Sequence, residues 1–163
     1  MKTDSTKLLQ DLAAFVLAGC HDSKCIKKAA EMIRAERRYR WVGIYKVTRG
    51  ECVIVAGTGT EPPTYARFPA TQGLCGAVVE SHETLVVGDV QKDPRYLPTF
   101  WTTRSEIVVP IISETTKRVT GIIDVESAKL NAFNDDDRDF LEHAAIPIGR
   151  AICSVRKHEA PAH

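Results

Sequence analysis

Residues 105–127, SEIVVPIISETTKRVTGIIDVES, restrict the possible fold more than any other stretch of the chain. Two apolar runs flank a short polar turn at residues 114–118, the pattern of two β-strands joined as a hairpin. Successive side chains of a strand point to opposite faces, so Ile107, Val109 and Ile111 share one face while Glu106, Val108 and Pro110 share the other. On the second strand Ile123 and Val125 lie together, with Asp124, Glu126 and Ile122 turned the opposite way. If the two strands pair, three carboxylates converge on one surface of a sheet whose other surface is apolar. Acidic residues are depleted from strands, so the hairpin points either to a polar site or to a face left in solvent.

The rest of the chain sets the context. Its 163 residues suit one domain, residues 1–163 with a core from about 5 to 155. The content of 44% hydrophobic and 26% charged residues is that of a soluble globular protein. A net charge of +1 creates no global field toward nucleic acid or membrane, and neither is expected as a partner. Five cysteines at irregular spacing do not describe a disulfide framework and fit a reducing, cytoplasmic setting. Residues 17–20, LAGC, resemble a lipoprotein cleavage box. Asp4, Gln10 and Asp11 argue against it, and Leu8, Leu9, Leu12, Phe15 and Val16 recur as the stripe of an amphipathic helix. No run approaches the roughly 20 apolar residues of a membrane span.

That first helix is expected over residues 5–19, with Ser5 as cap and Gly19 as stop. A second begins near Asp22 and carries Ile26, Ala29, Ala30 and Ile33 at helical spacing; its basic end, Arg34, Arg37, Arg38 and Arg40, complements the helix dipole. Residues 41–47 form a strand with Trp41, Gly43 and Tyr45 on one face and Val42, Ile44 and Val47 near the other. Arg49-Gly50 turns the chain into a second strand over residues 51–57. After a proline-broken loop, residues 65–69 read as a short edge strand. Residues 71–81 are a glycine turn entering a short helix, whose N-terminus would lower the pKa of Cys75 and make it a reactive thiolate, unless Cys75 is there for packing. A strand over residues 84–88 precedes a long loop, residues 89–103, that suits a lid or binding loop. Beyond the hairpin, Asn134 caps a long helix with aspartates in its first turn, and Pro147 should kink or break it. The tail after His158 is expected to be loose. Helices at both ends of a run of strands favour an α+β fold: a central antiparallel sheet, helices packed on one face and a ligand pocket on the other.

Several stretches, in order and approximate spacing, resemble GAF domains, whose sheet is of this PAS-like kind, and in particular the free methionine-(R)-sulfoxide reductases: WVGIY, GLCG, VVGDV, SEIVVP and GIIDVES. The resemblance covers roughly residues 5–155. It implies that Trp41 and Tyr45 frame a ligand's methyl group and that Glu106, Asp124 and Glu126 hold its ammonium and sulfoxide, Glu126 standing where the family commonly has Asp. It also places Cys75 as a resolving cysteine. The family's attacking cysteine lies seven residues before the SEIVVP glutamate, and counting back from Glu106 reaches Thr99. A hydroxyl cannot replace the thiolate this chemistry needs. Cys52 is a remote second thiol, and Cys20, Cys25 and Cys153 are expected to pack within helices. The expected function is therefore a noncatalytic or sensory GAF module for an amino-acid-like or cationic ligand, signalling through a homodimer made by the terminal helices. The alternative is a divergent reductase using Cys75. No cofactor or metal is expected, since His82 stands alone without a partner at metal spacing.

Overall fold

The computed structural model describes residues 5–155; the expected loose tail after His158 lies outside the described residues. The elements run α1 (Thr6–Leu17), α2 (Ser23–Arg37), β1 (Trp41–Thr48), β2 (Glu51–Gly57), β3 (Arg67–Pro69), α3 (Gly73–Ser81), β4 (Leu85–Val87), a single 3-10 turn (Val90–Lys92), β5 (Ser105–Ile112), β6 (Val119–Ser127) and α4 (Asp135–Ile152). The strands form a six-stranded sheet in the order β3-β2-β1-β6-β5-β4, antiparallel at every pairing. The hairpin β5–β6 thus occupies the interior of the sheet, with β1 on its far side.

Alternation along the strands divides the apolar residues into two cores. Val42, Ile44, Ile107, Val109, Ile111, Ile123 and Val125 face α1, α2 and α4. Trp41, Tyr45, Val108 and Ile122 face the other way, into a second cluster with Phe68, Leu74, Cys75 and Phe100. The three long helices therefore pack on one face, as the sequence implies, and short α3 lies on the pocket face. Val47 follows the alternation and packs with Trp41 and Tyr45, contrary to the expectation that it sides with Val42 and Ile44.

Local chemistry explains most element boundaries. Asp22 caps α2 by accepting from the Cys25 N–H at 2.8 Å. Asn134 and Asp137 form a reciprocal capping box at the start of α4. Ser5 does not cap α1 through its side chain; its hydroxyl accepts from Arg37 at 3.2 Å instead. Arg37 also stacks 4.8 Å over Phe140 and lies 4.0 Å from Asp137, so part of the basic end of α2 is spent on holding α4. Pro147 does not break α4, which continues to Ile152. Proline removes one helical hydrogen bond, but Pro147, Ile148, Ala151 and Ile152 are all buried, and that packing carries the helix through.

Two expectations about cysteines fail. Cys20 lies in the turn between α1 and α2 and is joined to Cys25 in a disulfide, the Cα atoms 5.4 Å apart. Gly19, in the same turn, has φ +118°, a conformation that glycine adopts without strain. Cys153 ends α4 and is exposed, not packed.

Candidate functional site

The floor of the site is made by β1, β6 and β5. Their register sets Glu106 opposite Glu126, Asp124 opposite Gly43, and Glu126 opposite Trp41. Glu106 and Asp124 are diagonal neighbours across β5–β6, close enough to share a hydrogen bond. The three carboxylates are fully sequestered, at 3%, 1% and 0% exposure, so the solvent-facing alternative fails. Glu106 Oε2, Asp124 Oδ1 and Glu126 Oε1 have no hydrogen-bond partner among the described residues.

Gly43 explains why WVGIY carries a glycine. The Trp41 indole folds back across it, and a Cβ there would fall 2.1 Å from the ring. The indole is then covered by Phe100, edge-on at 5.1 Å. Tyr45 meets Phe68 edge-on at 5.5 Å.

The roof comes from α3 and two loops. Thr64 donates both its N–H (3.1 Å) and its hydroxyl (2.7 Å) to the Thr99 carbonyl, clasping the loop before β3 to the loop before β5. Thr103 donates to Glu126 Oε2, anchoring that second loop to the floor. Between floor and roof lies a cavity lined by Tyr45, Cys75, Thr99, Glu106 and Asp124, with Tyr65 and Phe68 at one side. It holds only about 20 Å³ of free space, room for one water or one ion.

Burial governs the ionisation of these groups. It raises Glu106 well above the usual carboxylate range, and Asp124 and Glu126 beside it add to the effect. Asp124 is raised by burial and by Glu126, partly offset by the hydrogen bond from Glu106. Glu126 is raised less, because the Thr103 and Thr99 hydroxyls and the Arg40 charge favour its ionised form. The Cys75 thiol is pushed far up by burial, then by Asp124 and Glu106. The expectation of a Cys75 thiolate is therefore reversed: α3 does present Cys75 near its N-terminus, but a dry site and adjacent carboxylates outweigh the helix dipole. Burial also raises Cys52, to about 12.

Of the residues singled out from the sequence, Tyr45, Cys75, Glu106 and Asp124 border the cavity. Trp41 and Glu126 share its face but are not among the lining residues; one lies under Phe100 and the other is engaged by Thr103. Sequence reasoning missed Tyr65, Phe68 and Leu97 as lining residues, and Thr103 as the loop anchor. Phe68 was accessible in principle, since an edge strand beside β2 must turn alternate residues toward Tyr45. His82 caps α3 in a left-handed conformation at the surface, away from this cavity. Cys75 Sγ and one oxygen each from Glu106 and Asp124 lie within 4.8 Å of one another.

A curled antiparallel sheet with a polar cavity roofed by a short helix and loops is the architecture of the GAF fold, and the chain matches the GAF domain family over residues 23–152. It belongs to that family. It is 33% identical over 110 residues to "GAF domain-containing protein A" of Dictyostelium discoideum, covering 67% of each chain. It is 34% identical over 113 residues to the free methionine-R-sulfoxide reductase of Saccharomyces cerevisiae, a match over 68% of this chain that spans 62% of the yeast protein. Among solved structures it superimposes on the free methionine-R-sulfoxide reductase of Neisseria meningitidis in complex with its substrate, with TM-score 0.80 and 27% identity, covering 92% of this chain and 89% of that one.

Proposed function

We propose that the chain is a ligand-binding GAF domain without sulfoxide reductase activity, its ligand a small cationic or zwitterionic molecule of amino-acid type. One observation carries this reading. Glu106 and Asp124 are buried side by side with unpartnered oxygens at a cavity lined by Tyr45. Carboxylate oxygens accept from ammonium groups, and an aromatic face attracts a cation. Binding an amino acid requires the roof loops to move outward, because the cavity holds about 20 Å³ of free space. In this reading the protein is cytoplasmic and sensory, and the ligand state passes to a homodimer through α1 and α4.

The second reading is a divergent free methionine-(R)-sulfoxide reductase, favoured by the position of Cys75 at the same cavity. That chemistry needs a thiolate to attack the sulfoxide sulfur and a second thiol to resolve the resulting sulfenic acid. Cys75 is held as the thiol, Cys52 likewise, and Thr99 borders the cavity where the family's attacking cysteine is expected. Incubation with free L-methionine-R-sulfoxide and a thiol reductant separates the two. We expect no methionine formation; turnover that vanishes in Cys75→Ser would establish the reductase. A thermal-shift screen of amino acids should then find a stabilising ligand whose effect is lost in Glu106→Gln. A screen in which no amino acid stabilises the protein would sink the ligand reading.

A further inference from the structure

Three donor atoms, two from the floor and one from the roof, meet at the cavity in a way that an organic ammonium does not use. Cys75 Sγ, a Glu106 oxygen and an Asp124 oxygen lie within 4.8 Å of one another, all on buried side chains. They come from separate elements, α3, β5 and β6, whose packing fixes their approach. Glu106 Oε2 and Asp124 Oδ1 are unpartnered among the described residues and belong to side chains that border the cavity. We propose that Cys75, Glu106 and Asp124 form a binding site for a divalent cation of the zinc class.

The chemistry of the donor set selects the cation. Mixed sulfur and oxygen ligands suit a borderline cation such as Zn²⁺ or Co²⁺ better than Ca²⁺ or Mg²⁺, which prefer oxygen alone. In a tetrahedral zinc site with bonds of about 2.0–2.3 Å, donor atoms stand about 3.5 Å apart. The three donors here lie within 4.8 Å of one another, the range from which such a site is assembled. An ammonium gains nothing from a neutral thiol, whereas a metal takes the thiolate. The free space of about 20 Å³ matches an ion with no movement of the roof. Metal ligation releases to solvent the Cys75 S–H proton and whatever protons the two carboxyls hold. One metal–sulfur and two metal–oxygen bonds form, and no oxidation state changes. A fourth position remains for water or a small ligand.

This site draws on the carboxylates of the proposed ligand site but not on that ligand, so each can fail alone. The full chain, stripped with chelator and kept reduced, is titrated with Co²⁺ alone. We expect saturation at a single equivalent, visible bands of a tetrahedral site, a near-ultraviolet thiolate-to-cobalt absorption, and loss of all three on adding Zn²⁺. In Cys75→Ser the thiolate absorption disappears, and in Asp124→Asn binding weakens by about tenfold or more. Circular dichroism melts establish that both variants are folded before titration, and Cys153→Ser should bind like the parent. Absence of the thiolate absorption in the parent overturns the proposal. So does its persistence in Cys75→Ser, which would assign it to the exposed Cys153 or to reduced Cys20 and Cys25. Thermal shifts by amino acids measured in chelator test the organic ligand separately.

Discussion

Glu106 and Asp124 sit where water is nearly absent, so each bears the cost of desolvation unless it keeps a proton or meets a cation. Both carry folded-state pKa values raised above those of the unfolded chain, about 4 for such carboxyls. A raised carboxyl contributes stability that is fully present below the unfolded value. It is lost as pH climbs toward the folded value, because only the unfolded chain releases its proton over that interval. In the metal-free and ligand-free protein the contribution of this pair to stability should therefore fall as pH rises above about 4. Glu106→Gln, which is neutral without having to hold a proton, should be more stable than the parent at pH 8 by roughly 1–3 kcal/mol and nearly equal to it at pH 4. Urea unfolding at the two pH values in chelator measures the difference; a variant weaker than the parent at pH 8 would contradict it. Gly43 tests the opposite kind of constraint. Its missing Cβ is the space the Trp41 indole occupies, so Gly43→Ala must displace the ring from beneath Phe100 and should cost about 1–3 kcal/mol. Fluorescence of the displaced tryptophan and a lowered denaturation midpoint should appear together.

At the scale of elements, what could be read from the chain depended on whether the signal was local. The β5–β6 alternation placed Glu106, Asp124 and Glu126 on one face correctly, because a strand's period of two needs no partner to be legible. The Asn134 cap was likewise written within four residues. The ionisation of Cys75 was not local. Helix position argued for a thiolate, while burial under the roof and two carboxylates from other strands decided for the thiol. That α4 runs on past Pro147 was not local either, since the packing that sustains it comes from elsewhere in the chain. The Cys20–Cys25 bond depends on how α1 turns into α2, which five irregular cysteines do not reveal. Its loop is short, so closure should contribute about 2 kcal/mol. Adding reductant should lower the melting temperature of the parent and leave Cys25→Ser unaffected; equal shifts in both would mean the bond carries no stability.

For the molecule as a whole, the roof is the part built to yield. The floor strands are tied by long antiparallel ladders, whereas the roof loops are held by scattered bonds, among them Thr64 to the Thr99 carbonyl, Thr103 to Glu126 and the Arg104 N–H to the Ser127 carbonyl. Segments with few hydrogen bonds open at lower free energy than the global fold. Three free thiols report this at three depths. Cys153 is exposed, Cys75 borders the cavity under the roof, and Cys52 is buried on β2, paired across from Phe68 on β3 and not among the cavity's lining residues. A thiol-reactive probe should therefore label Cys153 at once, Cys75 at a rate set by roof opening, and Cys52 only on global unfolding. Thr64→Ala deletes the hydroxyl bond of the clasp while its N–H bond remains, a loss near 1 kcal/mol. Cys75 labelling should accelerate about fivefold as a result, with Cys52 labelling little changed. If Cys75 and Cys52 react at one common rate in parent and variant alike, the roof does not open apart from the fold. An amino acid would then have no route to Glu106 and Asp124, and only an occupant the size of an ion could reach them.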